Sequence, residues 1–301
     1  MTADAAAFAA LRPRLHGLAY RMLGSASDAD DVLQDAWLRL GRADPAEVRS
    51  LEAYLVTVVT RLCLDHLRSA RARRETYVGP WLPEPLLGPD PAASPEAARA
   101  LADDLSFALL LTLQRLSGPE RAAFLLHDVF DASFAEIAAV LGRSEAACRQ
   151  LATRARRAVR AARPAPPPPP EAHRALLARF VDAVASGDIA RLQALLAADA
   201  VAYSDGGGVR IAALRPIRGA ARVARFFLGL ARKARRRGQD VAFRPVTLNG
   251  APGLVAFVDG ALDQTFAIDV ADGRIAAVYV VRNPDKLAAV TAGLARAAAR
   301  P

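Results

Sequence analysis

The run "RPAPPPPPE" at residues 163–171 constrains this chain of 301 residues more than any other feature. Proline fixes φ at about −65° and has no backbone donor, so a stretch this rich in it joins neither a helix nor a sheet. It is expected to be extended, at about 3.1 Å per residue and roughly 20 Å overall. It therefore separates a C-terminal region, 171–301, from everything before it. A second stretch without helical or strand pattern, 76–97, contains "YVGPWLPEPLLG" at 77–88. The expected organisation is thus 1–75, a linker 76–97, a region 98–163, the spacer 164–170, and a tail 171–301, which suits a length of two or three domains.

The linker poses a question of its own. Trp81 and the neighbouring leucines are large apolar groups that the prolines keep out of any continuous element, so something else must cover them. Ordinary packing on a neighbouring helix and docking against another region both answer it.

The first region reads as helical. In "SLEAYLVTVVTRLCLDHLRS" the residues Leu51, Tyr54, Leu55, Val58, Val59 and Leu62 recur at helical spacing and mark a core face. Thr57, Thr60, Arg61, Asp65 and Arg68 lie on the other side with His66 at its edge, a pattern shared by a solvated amphipathic helix and a binding face. Before it, Ser27 is the expected cap of a helix in "SASDADDVLQDAWLRLGR", with Asp28, Asp30 and Asp31 complementing its N-terminus.

Residues 134–160 carry a stronger signal. Phe134, Ile137, Ala138, Val140 and Leu141 form an inner stripe, Gly142 ends that helix, and Ser144 caps a second one. In the second, Cys148, Leu151, Ala152, Ala155 and Val159 face inward, leaving Arg149, Gln150, Thr153, Arg154, Arg156 and Arg157 outside. Arginine pairs with guanine and glutamine with adenine in the major groove, so Arg149 and Gln150 suit base edges while Arg154, Arg156 and Arg157 suit phosphates. A charged helical hairpin without nucleic acid is the plainer alternative.

Charge distribution agrees with a local basic element. The formal net charge of +9 divides into +1 for 1–75, zero for 76–170 and +8 for 171–301, but 143–163 alone holds seven arginines against the single acid Glu145. Cys63 and Cys148 match no metal-ligand spacing and read as buried thiols in a reducing compartment. Apolar runs such as "FALLLTL" are too short to span a bilayer, and Arg12 and Arg14 precede any hydrophobic region, so no membrane association and a cytoplasmic location are expected.

The tail differs in kind. Two helical patterns, a strand and a helix around "GAARVARFFLGLARKARR" precede four β-rich runs separated by Asn-Gly or Asp-Gly turn signals. That order indicates an α+β domain with a curved antiparallel sheet.

The ordered segments "RPRLHGLAYRMLGSASDADDVLQDAWLRL", "AYLVTVVTRLCLDHLRSARARR" and "LSGPERAAFLLHDVFDASFAEIAAVLGRSEAACRQLATRARRAVR" resemble regions 2 and 4 of extracytoplasmic-function sigma factors of the sigma-70 type. The resemblance implies a helical bundle and a helix-turn-helix that direct core RNA polymerase to promoter DNA. It implies that Asp30, Asp31, Gln34, Asp35 and Trp37 meet the polymerase β′ clamp helices, with the β flap as a further docking site. It places Arg61, Asp65, His66 and Arg68 at the −10 element and the 144–160 helix at the −35 element.

The tail looks like a SnoaL-like domain of the nuclear-transport-factor-2-like fold. Its fusion to a sigma factor identifies a subgroup with three motifs, here Trp81, Leu82, Pro83, Glu84 and Pro85; Asp205, Gly206, Gly207 and Gly208; and Asn283, Pro284, Asp285, Lys286 and Leu287. One departure is that Val209, not a basic residue, follows the glycines, with Arg210 a place later. From the aptness of these groups for docking, the three motifs are expected to converge on one regulatory interface. SnoaL-like folds also include cyclases and isomerases; Asp263 and Asp269 are then the candidate acid/base groups, and a small ligand in the tail is the intermediate alternative. No catalytic residue, metal or cofactor is expected.

Overall fold

The computed structural model describes residues 2–44, 48, 50–75, 77–88, 105–162 and 168–298. The chain divides into two compact units, one of residues 1–76 and 109–163, the other of 77–108 and 164–301. The described part of the linker, 77–88, therefore groups with the tail, while 76 and 89–97 of the linker and 164–167 of the spacer lie outside the described residues.

The first unit is helical. Helix α1 (Thr2–Leu23) ends at Gly24, whose φ of 74° is open to glycine and turns the chain into α2 (Ala26–Leu40). Because that turn leaves Ser25 already extended, Ser25 and not Ser27 caps α2, its Oγ accepting from the Asp28 amide at 3.1 Å. Helix α3 (Leu51–Glu75) buries Leu55, Val59, Leu62 and Cys63. Thr60, expected on the solvent side, is buried and donates to the Val56 carbonyl at 2.7 Å, because α3 is packed on a second side by the helices described next.

Those helices are α4 (Phe107–Arg115), α5 (Gly118–Asp128), α6 (Phe134–Leu141) and α7 (Glu145–Ala162). Ser117 with Glu120 and Ser133 with Glu136 form capping boxes at the starts of α5 and α6. Gly142, at φ 62°, ends α6, and Ser144 Oγ accepts from the Ala147 amide at 3.3 Å to start α7. This is the helix-turn-helix read from the sequence.

The second unit contains α8 (Pro170–Ser186), α9 (Ile189–Leu195), β1 (Leu196–Asp205), β2 (Ile217–Arg218), α10 (Ala220–Arg236), β3 (Val241–Leu248), β4 (Ala251–Val258), β5 (Ala261–Ala271), β6 (Arg274–Val281) and α11 (Pro284–Ala298). The strand order is β2-β1-β6-β5-β4-β3. All neighbours are antiparallel except β1 and β6, which run parallel, so the sheet is mixed rather than wholly antiparallel. The connection between β2 and β3 passes through α10, which frees β1 from the hairpin geometry of the meander. Asn249-Gly250, Asp259-Gly260 and Asp272-Gly273 all have positive φ, as two-residue hairpin turns require. Pro245 is tolerated because β3 is an edge strand.

One sheet face packs on α8, α9 and α10 through Phe180, Leu192, Phe227, Ile268 and Val278. Strand alternation puts Asp205, Val255 and Tyr279 on the opposite face. There Phe107 and Tyr203 both stack on Tyr279, at 5.2 and 5.5 Å, and α11 packs on β5.

Candidate functional site

The densest polar constellation of the second unit surrounds Asp205, which is fully buried at the end of β1. Its Oδ1 accepts from the Tyr77 hydroxyl at 2.5 Å and from the Gly207 amide at 3.0 Å. Its Oδ2 accepts from the Leu82 amide at 2.8 Å and from Lys286 Nζ at 2.7 Å. A buried carboxylate is tolerated only when its lone pairs are filled in this way. Lys286 Nζ also donates to the Leu82 carbonyl and lies 3.7 Å from the centroid of the Trp81 ring. The cation over the indole face adds about 1–2 kcal/mol in a desolvated setting.

Local chemistry explains why these residues stand here. Asn283 is the first-turn cap of α11, its Oδ1 accepting from the Asp285 amide at 3.1 Å, and Pro284 occupies the position where a missing donor costs nothing. The Asp205 carbonyl accepts from the Arg282 and Asn283 amides, which fixes the start of α11 beside the glycine loop. Gly206 and Gly207 have no room for a side chain: a Cβ would fall 2.1 Å from the Arg210 carbonyl oxygen and 2.5 Å from Asn283 Cγ. Asn283 Nδ2 donates to the Tyr77 hydroxyl at 3.0 Å. Burial first, then the bond to Asp205, pushes the Tyr77 hydroxyl well above its ordinary pKa, so it remains a donor.

The structure thus brings Trp81 and Leu82 together with Asp205, the glycine loop, Asn283 and Lys286. Pro83, Glu84, Pro85 and Leu287 are buried around them, and Asp285 lies in the first turn of α11. Gly208 sits at the margin, at φ 75°, where a Cβ would fall 3.4 Å from the Val78 side chain. The Val209 and Arg210 side chains are exposed, while their amides donate to the Gly206 carbonyl at 3.1 and 2.9 Å and close the glycine loop. Tyr77 and Asn249 were not anticipated. Asn249 Oδ1 accepts from the Leu86 amide at 3.0 Å, and Leu87 pairs with Leu248, so the linker is also held at its far end. An aromatic hydroxyl just before a proline-rich docking segment was the available signal for Tyr77; Asn249 was read only as a turn residue.

In the first unit, Asp30, Asp31, Gln34, Asp35 and Trp37 are all exposed on α2, together with Leu38; Asp30 pairs with Arg12 at 2.9 Å and Trp37 meets the Phe8 ring. The α3 set is less free. Arg61 donates to the Ala139 and Val140 carbonyls at 2.9 and 3.2 Å, completing the C-terminal end of α6. His66 meets Asp28 at 3.2 Å, and Asp65 pairs with exposed Arg68. Buried Arg121 of α5, also missed, reaches back to the Leu113 carbonyl at 2.7 Å and to the Met22 carbonyl.

On α7, Arg149, Gln150, Thr153 and Arg157 are exposed. Arg149 pairs with Glu145 at 3.1 Å and lies over the Phe134 ring. Arg154 instead holds Glu120 at 2.7 Å, and half-buried Arg156 holds Asp128 at 2.8 Å, so these two have structural partners as well as any phosphate role. The bond from Arg154, with Ser117, holds the Glu120 carboxyl below its ordinary range. Cys63 and Cys148 are buried free thiols, both pushed up by burial.

The carboxylates considered for acid/base work are placed otherwise. Asp263 is clamped by Arg282 through Nη2 at 2.9 and 3.0 Å. Asp269 is half-buried against the Tyr279 hydroxyl on the face away from the main core, and desolvation there pushes its carboxyl up to about 6. A cavity of about 30 Å³ lies on the core side, lined by apolar residues including Leu177, Phe180, Phe243, Leu254 and Phe266. Neither aspartate lines it. No described helix is long and apolar enough to cross a membrane.

Comparison with known proteins bears on these surfaces. Residues 7–73 match the family model for Sigma-70 region 2, and residues 106–159 that for Sigma-70, region 4. The ECF RNA polymerase sigma factor SigJ of Mycobacterium tuberculosis (strain ATCC 25618 / H37Rv) is 42% identical over 289 residues, 93% of this chain and 91% of that protein. The probable ECF RNA polymerase sigma factor SigI of the same organism is 33% identical over 287 residues, 94% of each. A crystal structure of the M. tuberculosis extracytoplasmic function sigma factor SigJ matches with a TM-score of 0.76 at 40% identity, over 95% of this chain and 98% of that one.

Proposed function

Because the chain belongs to the extracytoplasmic-function RNA polymerase sigma factors, we propose that it brings core RNA polymerase to two-part promoters, under control of its own tail acting through the linker. Under this reading α2 meets the polymerase through Asp30, Asp31, Gln34, Asp35 and Trp37, α3 meets the −10 element, and α7 reads the −35 element. One observation carries the regulatory part: a single buried carboxylate, Asp205, binds Tyr77, the Leu82 amide and Lys286 at once. Any change that alters this grip alters the length of chain free to run between the two promoter-reading regions.

The tail acts here by binding and not by turnover. The apolar lining of the core-side cavity, which includes neither Asp263 nor Asp269, supports this reading. Asp263 is engaged on both oxygens, and Asp269 lies on the other face of the sheet.

Reconstitution with core polymerase and genomic DNA tests the proposal. Specific initiation is expected from the full chain, with its level changed by Trp81→Ala. Absence of specific initiation from both the full chain and a version ending before residue 171 contradicts the sigma reading. Unchanged initiation in the Trp81 variant contradicts the regulatory one.

A further inference from the structure

Helix α10 has a face that neither the fold nor the regulatory contact uses. From Gly206 to Gln239 the sequence holds ten cations and not one acid. Val223, Ala224, Phe227 and Leu228 turn inward to the core, while Arg222, Arg225, Arg232, Lys233 and Arg236 are exposed. Positions 222, 225, 229, 232 and 236 advance by three or four residues, so they form one stripe along the helix. Gly229, at its middle, has open space where a side chain would be, which leaves the stripe flat. At about 1.5 Å per residue the stripe runs for roughly 21 Å.

Helix electrostatics explains only half of it. Lys233 and Arg236 lie in the last turn, where cations complement the dipole. Arg222 and Arg225 lie in the first two turns, where cations oppose it, and no acid stands in the first turn. Nor are they neutralised: the ion pairs of this unit, among the described residues, are Arg191–Asp182, Arg282–Asp263 and Lys286–Asp205, and none involves α10.

We infer that this stripe is a second contact for duplex DNA, one that holds phosphates without reading sequence. A duplex presents about one charge per 1.7 Å of its axis, a dense and regular partner for an arginine row of this length. An acidic protein surface fits less well, because protein interfaces are organised around an apolar centre depleted of charge, and Leu230 is the one large apolar side chain of α10 that is exposed among the described residues. The inference goes beyond the promoter-reading role of α7 and does not depend on which bases α7 selects.

The test is anisotropy of the full chain with a mixed-sequence duplex of about 40 base pairs, titrated across salt concentration. Replacing Arg222, Arg225 and Arg236 together with glutamine should weaken binding at low salt by at least about tenfold and reduce the salt slope by about 2 to 3, at about 0.9 for each phosphate no longer neutralised. The matching lysine replacements should restore the slope, and Arg225→Gln alone should remove about 0.9 of it. Arg149→Ala with Gln150→Ala should leave this α10 contribution intact, which separates the stripe from the helix-turn-helix. An unchanged slope in both the triple and the single glutamine variants overturns the inference. So does an unchanged slope accompanied by weaker binding to core polymerase, which would assign the face to an acidic protein surface.

Discussion

At the scale of single residues, two partly or fully desolvated groups make opposite demands on pH. His173 in α8 is buried, with Nε2 lacking a hydrogen-bond partner, and burial pushes its pKa from 6.5 down to about 4. Between those values the unfolded chain binds the proton that the folded chain refuses, so stability is full above about pH 6.5 and falls as pH drops toward 4, by up to about 3 kcal/mol. Asp269 works the other way: with its pKa raised to about 6, the cost of burying its charge is present above that value and relieved below it. His173→Gln should therefore be more stable relative to the parent at pH 4.5 than at pH 7, as measured by denaturant unfolding at each pH. An equal difference at both values would place the histidine's cost elsewhere. Trp81→Ala removes the face on which Lys286 rests and should weaken the hold on the linker by about 1–2 kcal/mol, read as faster hydrogen exchange at the Leu82 amide. Residue-level chemistry of this kind was partly legible. The Asn-Gly and Asp-Gly turns were, because their demand for positive φ is local. The Tyr77 bond to Asp205 was not, because it joins residues 128 apart and no local rule selects it.

At the scale of elements, α7 and α3 show how far an exposed pattern can mislead. The inward residues of α7 were read correctly from spacing, yet Arg154 and Arg156, which share the outer face by spacing, are tied to Glu120 and Asp128. Arg156→Ala should lower stability by about 1 kcal/mol as well as DNA affinity, whereas exposed Arg157→Ala should leave stability unchanged, weaken binding uniformly and lower the salt slope by about 1. Arg149→Ala and Gln150→Ala should each cost about 1–3 kcal/mol at one promoter position only. Binding profiles across substituted −35 sequences distinguish these classes, and one shared profile for Arg149, Gln150 and Arg157 would contradict the assignment of faces. On α3 the amphipathic pattern revealed one buried side and concealed a second. Exposed Arg61 also completes α6 through its bonds to the Ala139 and Val140 carbonyls, so Arg61→Ala should loosen α3 from α6 as well as weaken −10 recognition. The cap of α2 was misplaced by two residues for a related reason: two serines with equal capping chemistry were distinguished only by the turn at Gly24.

At the scale of the whole molecule, the chain is divided in a way that does not follow its linear order. Residues 77–88 lie in sequence between the two helical regions but fold with the tail, on a buried ion pair and a cation over an indole. Composition could show that this segment had to be covered; only the three motifs taken together indicated by what. Energetically the grip is a unit, since removing Asp205 leaves Lys286 and the Leu82 amide without their shared acceptor, at a cost of roughly 3–5 kcal/mol for a buried pair. Groups that act as a unit do not add. The most direct test is a double-mutant cycle of Trp81→Ala and Asp205→Ala in reconstituted initiation with core polymerase, with both variants shown to retain their helical content. If the tail controls the linker through this grip, the double variant changes promoter activity no more than the stronger single one. A double variant whose effect equals the product of the two single effects would contradict that control, and would leave Trp81 as ordinary packing on the tail.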